Sequence, residues 1–194
     1  MAFGRKPGKR KPLAPAALYE YALAALGRRM MTVAQMKKQL QTRAEEGEAG
    51  EAAVEAVLIK LKEHGYLNDV EYAASYTRLR MENEKFGQRR VRQDLMQKGI
   101  HGETIAKTLE AGYEEVDEEQ LARKFLARKR VKQPEGPDAQ KQIARILRLM
   151  IRGGFSTTVI FKILRNWNIP EEDMASIESI EEEVSGHPEE SEGE

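Results

Sequence analysis

The 194-residue chain has no cysteine, so no disulfide framework, thiolate nucleophile or thiolate zinc site can be built from it. No apolar run approaches the roughly 20 residues that cross a bilayer, and the Lys/Arg-rich opening lacks the apolar core of a signal peptide. A soluble, cytoplasmic protein is expected. Few β-branched runs occur and aromatic residues are only 6% of the chain, whereas Ala, Leu, Glu, Lys and Arg abound. That balance predicts helices throughout and an all-α fold. Catalytic vocabulary is equally scarce. His64, His101 and His187 are the only histidines, and the first two lie beside glycine turns, where contact with a helix end accounts for them. Gly153-Gly154 lacks the Lys-Ser/Thr pair of a phosphate-binding loop. The carboxylates fall on polar helix faces or near the C-terminus, where they are solvated and ionised rather than paired for acid/base work. The chain reads as a non-enzyme with no metal or cofactor.

Charge is abundant but unevenly placed. The formal net charge of zero arises because residues 171–194 carry eleven Asp/Glu and no Lys/Arg, leaving 32 basic residues against 21 acidic ones in the rest. Arg5, Lys6, Lys9, Arg10 and Lys11 form a basic arm. A basic body with an acidic tail predicts an anionic partner.

The stretch "LKEHGYLNDVEYAASYTRLR", residues 61–80, reads as one helix ending and another starting. Gly65 suits a helix C-cap that needs positive φ, and Asn68 or Asp69 can cap the next helix. "LEAGYEEVDEEQLA" repeats the phrase, with Leu109, Gly112 and Tyr113 in the places of Leu61, Gly65 and Tyr66. Further along, Val91, Leu95, Gly99, Ile100, Ile105 and Leu109 lie over Ile146, Met150, Gly154, Phe155, Ile160 and Leu164 without a gap. Two short helices burying one face around a glycine turn would give that spacing. Met36, Leu40, Val57 and Leu61 offer an earlier copy, in which "QTRAEEGEAGE" reads as an added loop. Leading helices are expected near 14–29, 69–83 and 117–131. The predicted architecture is an elongated, curved array of three tandem three-helix, helix-turn-helix-like repeats at 14–67, 68–113 and 114–168. A disordered basic arm over 1–13 and an acidic tail over 169–194 flank it.

The segments "ALAALGRRMMTVAQMKKQL", "LKEHGYLNDVEYAASYTRLR", "FGQRRVRQDLMQKGI" and "GFSTTVIFKIL" resemble the RecX family of recombinase regulators. Gly65-Tyr66-Leu67-Asn68-Asp69 and the Gly87 to Gly99 segment with Arg89, Leu95 and Lys98 carry the resemblance most specifically. Met30-Met31 and Asn68 depart from the usual pattern at a cap and a turn. The resemblance implies three tandem three-helix repeats. It also implies a monomer that binds the RecA filament on single-stranded DNA and restrains its ATP hydrolysis, strand exchange and co-protease action in recombination, DNA repair and the SOS response.

Read on residue chemistry alone, the candidate binding surface is cationic. Lys85, Arg89, Arg90, Arg92 and Lys98 surround the helix whose buried positions are Val91 and Leu95. Arg145, Arg148 and Arg152 form a ridge at i, i+3 and i+7 opposite Ile143, Ile146, Leu147 and Met150, and arginine suits planar recognition of carboxylates or phosphates. Arg123, Lys124, Arg128, Lys129 and Arg130 extend the field. Tyr66, Tyr72, Tyr76, Phe86, Tyr113 and Trp167 have the spacing of residues packed between repeats rather than of base-stacking platforms. Two other functions fit parts of this pattern. One is a sequence-nonspecific DNA-binding protein acting without a recombinase; the other is a helical adaptor. Against base reading, "AAVEAVLIKLKEH" and "GETIAKTLEAG" are poor in Arg, Asn and Gln. A weaker direct contact with DNA remains compatible with filament binding, and no membrane partner is indicated.

Overall fold

The computed structural model describes residues 11–169, so most of the expected basic arm and acidic tail lies outside the described residues. Among the described residues there are nine α-helices and no strand. They are α1 (Pro15–Leu26), α2 (Val33–Gln41), α3 (Glu48–Glu63), α4 (Asp69–Leu79), α5 (Gln88–Gln97), α6 (Gly102–Tyr113), α7 (Glu118–Arg128), α8 (Ala139–Arg152) and α9 (Thr157–Asn166). A π-helical turn, Arg80–Glu84, prolongs α4. No described helix is long and apolar enough to cross a membrane.

The ends of these helices follow from short-range chemistry. At the close of α3, Gly65 has φ +73°, and the Tyr66 and Gly65 amides donate to the Leu61 and Lys62 carbonyls at 2.8 and 2.9 Å. That pairing satisfies carbonyls which a helix end otherwise strands. His64 is the C-cap residue, with Nδ1 2.8 Å from the Tyr19 hydroxyl. Asn68 caps α4, its side chain accepting from the Val70 and Glu71 amides, which frees Asp69 to accept from the Val33 amide at 2.9 Å. Gly112 departs from the expected turn, because it lies inside α6. A Cβ there would meet Thr77 Cγ2 at 3.0 Å, so close packing rather than chain reversal explains the glycine. The expected loop at 41–51 is shorter than the sequence indicated. Glu48 and Glu51 already form the first turn of α3, where carboxylates oppose the positive helix end.

The described residues form two compact units, 11–73 with Met96–Thr104, and Ala74–Leu95 with 105–169. The first is built on Leu18, Ala22, Met36, Leu40, Val54, Leu58 and Leu61. The second is built on Leu121, Phe125, Ile143, Leu147, Met150, Phe155, Ile160 and Leu164. All six residues from Val91 to Leu109 that align with Ile146 to Leu164 behave like their counterparts. The apolar ones are buried, and Gly99 and Gly154 have φ of +75° and +86°.

One joint recurs at an offset of 55 residues. In the first unit, Thr32 at the start of α2 donates its hydroxyl proton to the Lys98 carbonyl at 2.7 Å, just before Gly99. In the second unit, Gly87 at the start of α5 donates its amide proton to the Gly153 carbonyl at 2.8 Å, just before Gly154. Each helix start is thereby fastened to a positive-φ turn distant in sequence. Thr32 is fully buried and also forms a reciprocal capping box with Gln35. Thr32→Val is expected to lower stability by about 2–4 kcal/mol, since it removes the cap and leaves the Lys98 carbonyl without its donor. Thr32→Ser should lose less than about half of that. Urea denaturation monitored by circular dichroism measures both, and equal losses would mean that the methyl group matters rather than the hydroxyl.

Asp94 is the buried carboxylate of α5. It accepts from the Tyr76 hydroxyl at 2.9 Å and lies 3.0 Å from Arg90 Nε. Arg80 Nε donates to the Tyr76 oxygen at 2.8 Å. The guanidinium groups of Arg80 and Arg90 lie over the Phe86 ring, with centroid distances of 6.0 and 5.5 Å. Burial raises the Tyr76 pKa above the usual phenol value, so its hydroxyl stays a proton donor to Asp94. This network fixes the face of α5 opposite its exposed Arg89 and Arg92.

Candidate functional site

The arginine ridge of α8 forms one wall of a groove. Ile143, Ile146, Leu147 and Met150 are buried in the second core, which turns Arg145 and Arg152 to solvent and leaves Arg148 half-buried. The opposite wall comes from the end of α7. Lys129 caps that helix, and Arg130 adopts a left-handed conformation with φ +54°. The Arg130 and Val131 amides donate to Ala127 and Leu126 at 3.0 Å each, a glycine-type helix ending made without glycine. An L-residue held there costs about 1–2 kcal/mol, strain of the kind that accumulates at functional positions.

Between the walls lies an open cavity of about 660 Å³, lined by Lys129, Arg130, Val131, Lys132, Gln142, Arg145, Ile146, Arg148, Leu149 and Arg152. Six of the ten lining residues are Lys or Arg and none is acidic. Like charges gathered around a concave surface focus a positive potential into it, which suits an anionic ligand. Its geometry favours carboxylates or phosphates presented in series, because arginine pairs with both in bidentate fashion. Val131, Ile146 and Leu149 give it an apolar floor for part of its length.

The structure gathers only some of the sequence candidates here. Arg145, Arg148 and Arg152 line the groove, joined by Lys129 and Arg130 from the wider cationic set. Lys132 and Gln142 were not legible as site residues, because the Pro-containing loop that follows Lys132 concealed the return of the chain to α8. Arg123 lies elsewhere, bound to Glu119 at 2.7 Å, and Glu119 also meets Lys162 at 2.6 Å. The Lys162 and Arg123 hydrogen bonds hold the Glu119 carboxyl below its usual range. Arg128 pairs with Glu84 at 3.3 Å. Lys85 ends the π-helical turn in a left-handed conformation with φ +59° and donates to the Glu82 carbonyl. Arg89 and Arg92 are exposed on α5, and Lys98 is half-buried in the first unit.

A second hollow, of about 520 Å³, lies in the first unit among Leu23, Leu26, Met30, Met31, Tyr66 and Glu71. Its lining includes no cation. Tyr66 is 53% exposed there, contrary to the expectation that it packs between repeats. Tyr113 is held instead, donating its hydroxyl proton to the Phe86 carbonyl at 2.8 Å. Among the described residues no cluster of three His, Asp or Glu side chains is placed to hold a metal ion.

With the helices and groove in place, the relationships of the chain are informative. The family model of the second three-helix domain of RecX matches residues 68–109, which cover α4 to most of α6. The regulatory protein RecX of Deinococcus radiodurans is 34% identical over 155 residues, spanning 77% of this chain and 67% of the relative. That of Myxococcus xanthus is 32% identical over 173 residues, spanning 82% of this chain and 90% of the relative. The chain belongs to the RecX family. A crystal structure of regulatory protein RecX superposes with a TM-score of 0.59 at 27% identity, covering 78% of this chain and 71% of the other. RecX from Lactobacillus salivarius gives 0.60 at 22% identity, covering 79% and 96%, and that likeness shows the shared fold.

Proposed function

We propose that this RecX-family chain binds the RecA nucleoprotein filament on single-stranded DNA and restrains its ATP hydrolysis, strand exchange and co-protease activity. It acts by occupancy rather than by catalysis. The observation that carries this reading is the groove between the end of α7 and α8, with six Lys or Arg and no acidic residue among its lining. A filament offers both matching anions, acidic side chains on its protomers and phosphates on its DNA. The exposed Arg89 and Arg92 of α5, with Lys85 and Lys98, would add further contacts. The paired glycine turns at Gly99 and Gly154 support taking 68–113 and 114–168 as successive repeats, with 14–67 as the first. A monomer of repeats engaging several protomers at once gains from effective concentration. Bound across protomers, it would favour one subunit arrangement and slow the rearrangement that ATP turnover requires.

A groove of this charge also suits bare DNA, which is the competing reading. The deciding measurement compares affinity for single-stranded DNA alone with affinity for the same DNA coated by a recombinase and a nonhydrolysable nucleotide. At moderate salt the filament is expected to bind at least about tenfold tighter. Equal affinities that collapse together as salt rises would instead mark a phosphate-only binder.

A further inference from the structure

We propose that in the free protein the basic groove is occupied by the chain's own acidic segment, residues 171–184, which an anionic partner must displace. Three observations converge on that occupant. First, the chain leaves the described fold beside the groove. The Trp167 carbonyl accepts from Gln133 Nε2 at 2.7 Å, and Gln133 directly follows Lys132 in the groove wall. From Asn168 to Glu171 the extended chain spans only about 10 Å. A ligand tethered this closely has a high effective concentration.

Second, the charges correspond. The segment supplies Glu171, Glu172, Asp173, Glu178, Glu181, Glu182 and Glu183, and the groove supplies Lys129, Arg130, Lys132, Arg145, Arg148 and Arg152. Third, the apolar content corresponds. Met174, Ile177, Ile180 and Val184 recur at intervals of three, three and four, the spacing of an amphipathic segment, and the groove floor presents Val131 and Leu149. Exposed ion pairs are individually weak and are screened beyond roughly 8 Å at physiological salt, so the docked state must be salt-sensitive and displaceable.

The docking can be read in the full chain without any partner, because the absence of cysteine allows a single label. Ser179→Cys carrying a nitroxide should broaden the amide resonances of Lys129–Lys132 and Arg145–Arg152 at least about threefold more than those of Val33–Gln41. The difference should vanish in about 0.5 M salt, and also in a chain carrying E181Q, E182Q and E183Q, which leaves the groove untouched. Uniform broadening, or broadening indifferent to the Glu→Gln changes, would overturn the proposal. So would broadening that appears only between labelled and unlabelled copies, which would assign the groove to a neighbouring chain. The consequence for partner binding rests on the reading of the groove as the filament site. If that reading holds, the Glu→Gln chain should bind filament severalfold tighter at low salt. Docking without that gain would leave the tail in the groove and move the filament site elsewhere.

Discussion

Gly154→Ala is expected to destabilise the second unit by about 4–6 kcal/mol, a large share of the 5–15 kcal/mol typical of a whole domain. Two effects add. At φ +86° an L-residue costs about 1–2 kcal/mol. A Cβ would also stand 2.2 Å from the Arg90 amide nitrogen and 2.9 Å from Arg90 Cα, backbone atoms that cannot swing aside. Relief requires α5 to retreat from the turn, which strains the Gly87 to Gly153 hydrogen bond of 2.8 Å and the Arg89 to Gly154 bond of 3.3 Å. Gly65→Ala is the matched comparison, since Gly65 has φ +73° but nothing within 4 Å of the place a methyl group would take. It should lose only about 1–2 kcal/mol, the left-handed backbone cost alone. Urea unfolding followed by circular dichroism measures both variants, and the fluorescence of Trp167, the sole tryptophan, follows the second core separately. Equal losses at the two glycines would show that the Gly154 turn is not pressed against α5.

This contrast also marks what could be read from the sequence. Helix existence and the buried faces were legible, because apolar spacing is fixed by 3.6 residues per turn whatever the helix packs against. The register of Val91 to Leu109 over Ile146 to Leu164 therefore carried through to burial and to the two positive-φ glycines. Gly112 was not legible as a helical residue, because glycine serves both reversal and close approach, and only the neighbouring Thr77 distinguishes them. The Thr32 to Lys98 and Gly87 to Gly153 joints were invisible, since a backbone carbonyl leaves no side-chain signature in the sequence. The candidate surface was legible as charge but not as geometry. The ridge on α8 followed from helical spacing, whereas its facing wall depends on a loop of irregular path. Nor could spacing reveal that Arg128 meets Glu84 from an element 44 residues away.

The cations that line the groove carry the largest functional effect expected. Arg145, Arg148 and Arg152 changed together to Glu should raise the concentration needed for half-inhibition of filament ATPase by about 100-fold or more. Charge-assisted hydrogen bonds contribute about 1.5–3 kcal/mol each when partly desolvated, and reversal adds repulsion to their loss. Solvent screening at the open groove discounts the total to about 3–5 kcal/mol. The fold should survive, because Ile143, Ile146, Leu147 and Met150 are untouched and the substitutions relieve crowding with Lys129, Arg130 and Lys132. Arg148 has an interaction partner within the fold, so the Arg145 and Arg152 double reversal serves as a milder companion. Arg123→Glu and Arg128→Glu should each change inhibition by less than about tenfold. Their guanidinium groups already meet Glu119 and Glu84, and their main cost is local, through the carboxylates left behind. Circular dichroism together with a filament ATPase titration reads the whole series. Native helicity with undiminished inhibition in the triple variant would exclude the groove from the interface. An effect at Arg123 or Arg128 as large as that of the triple variant would move the interface to the flank of α7, where the cations are paired in the free chain and must exchange partners to bind.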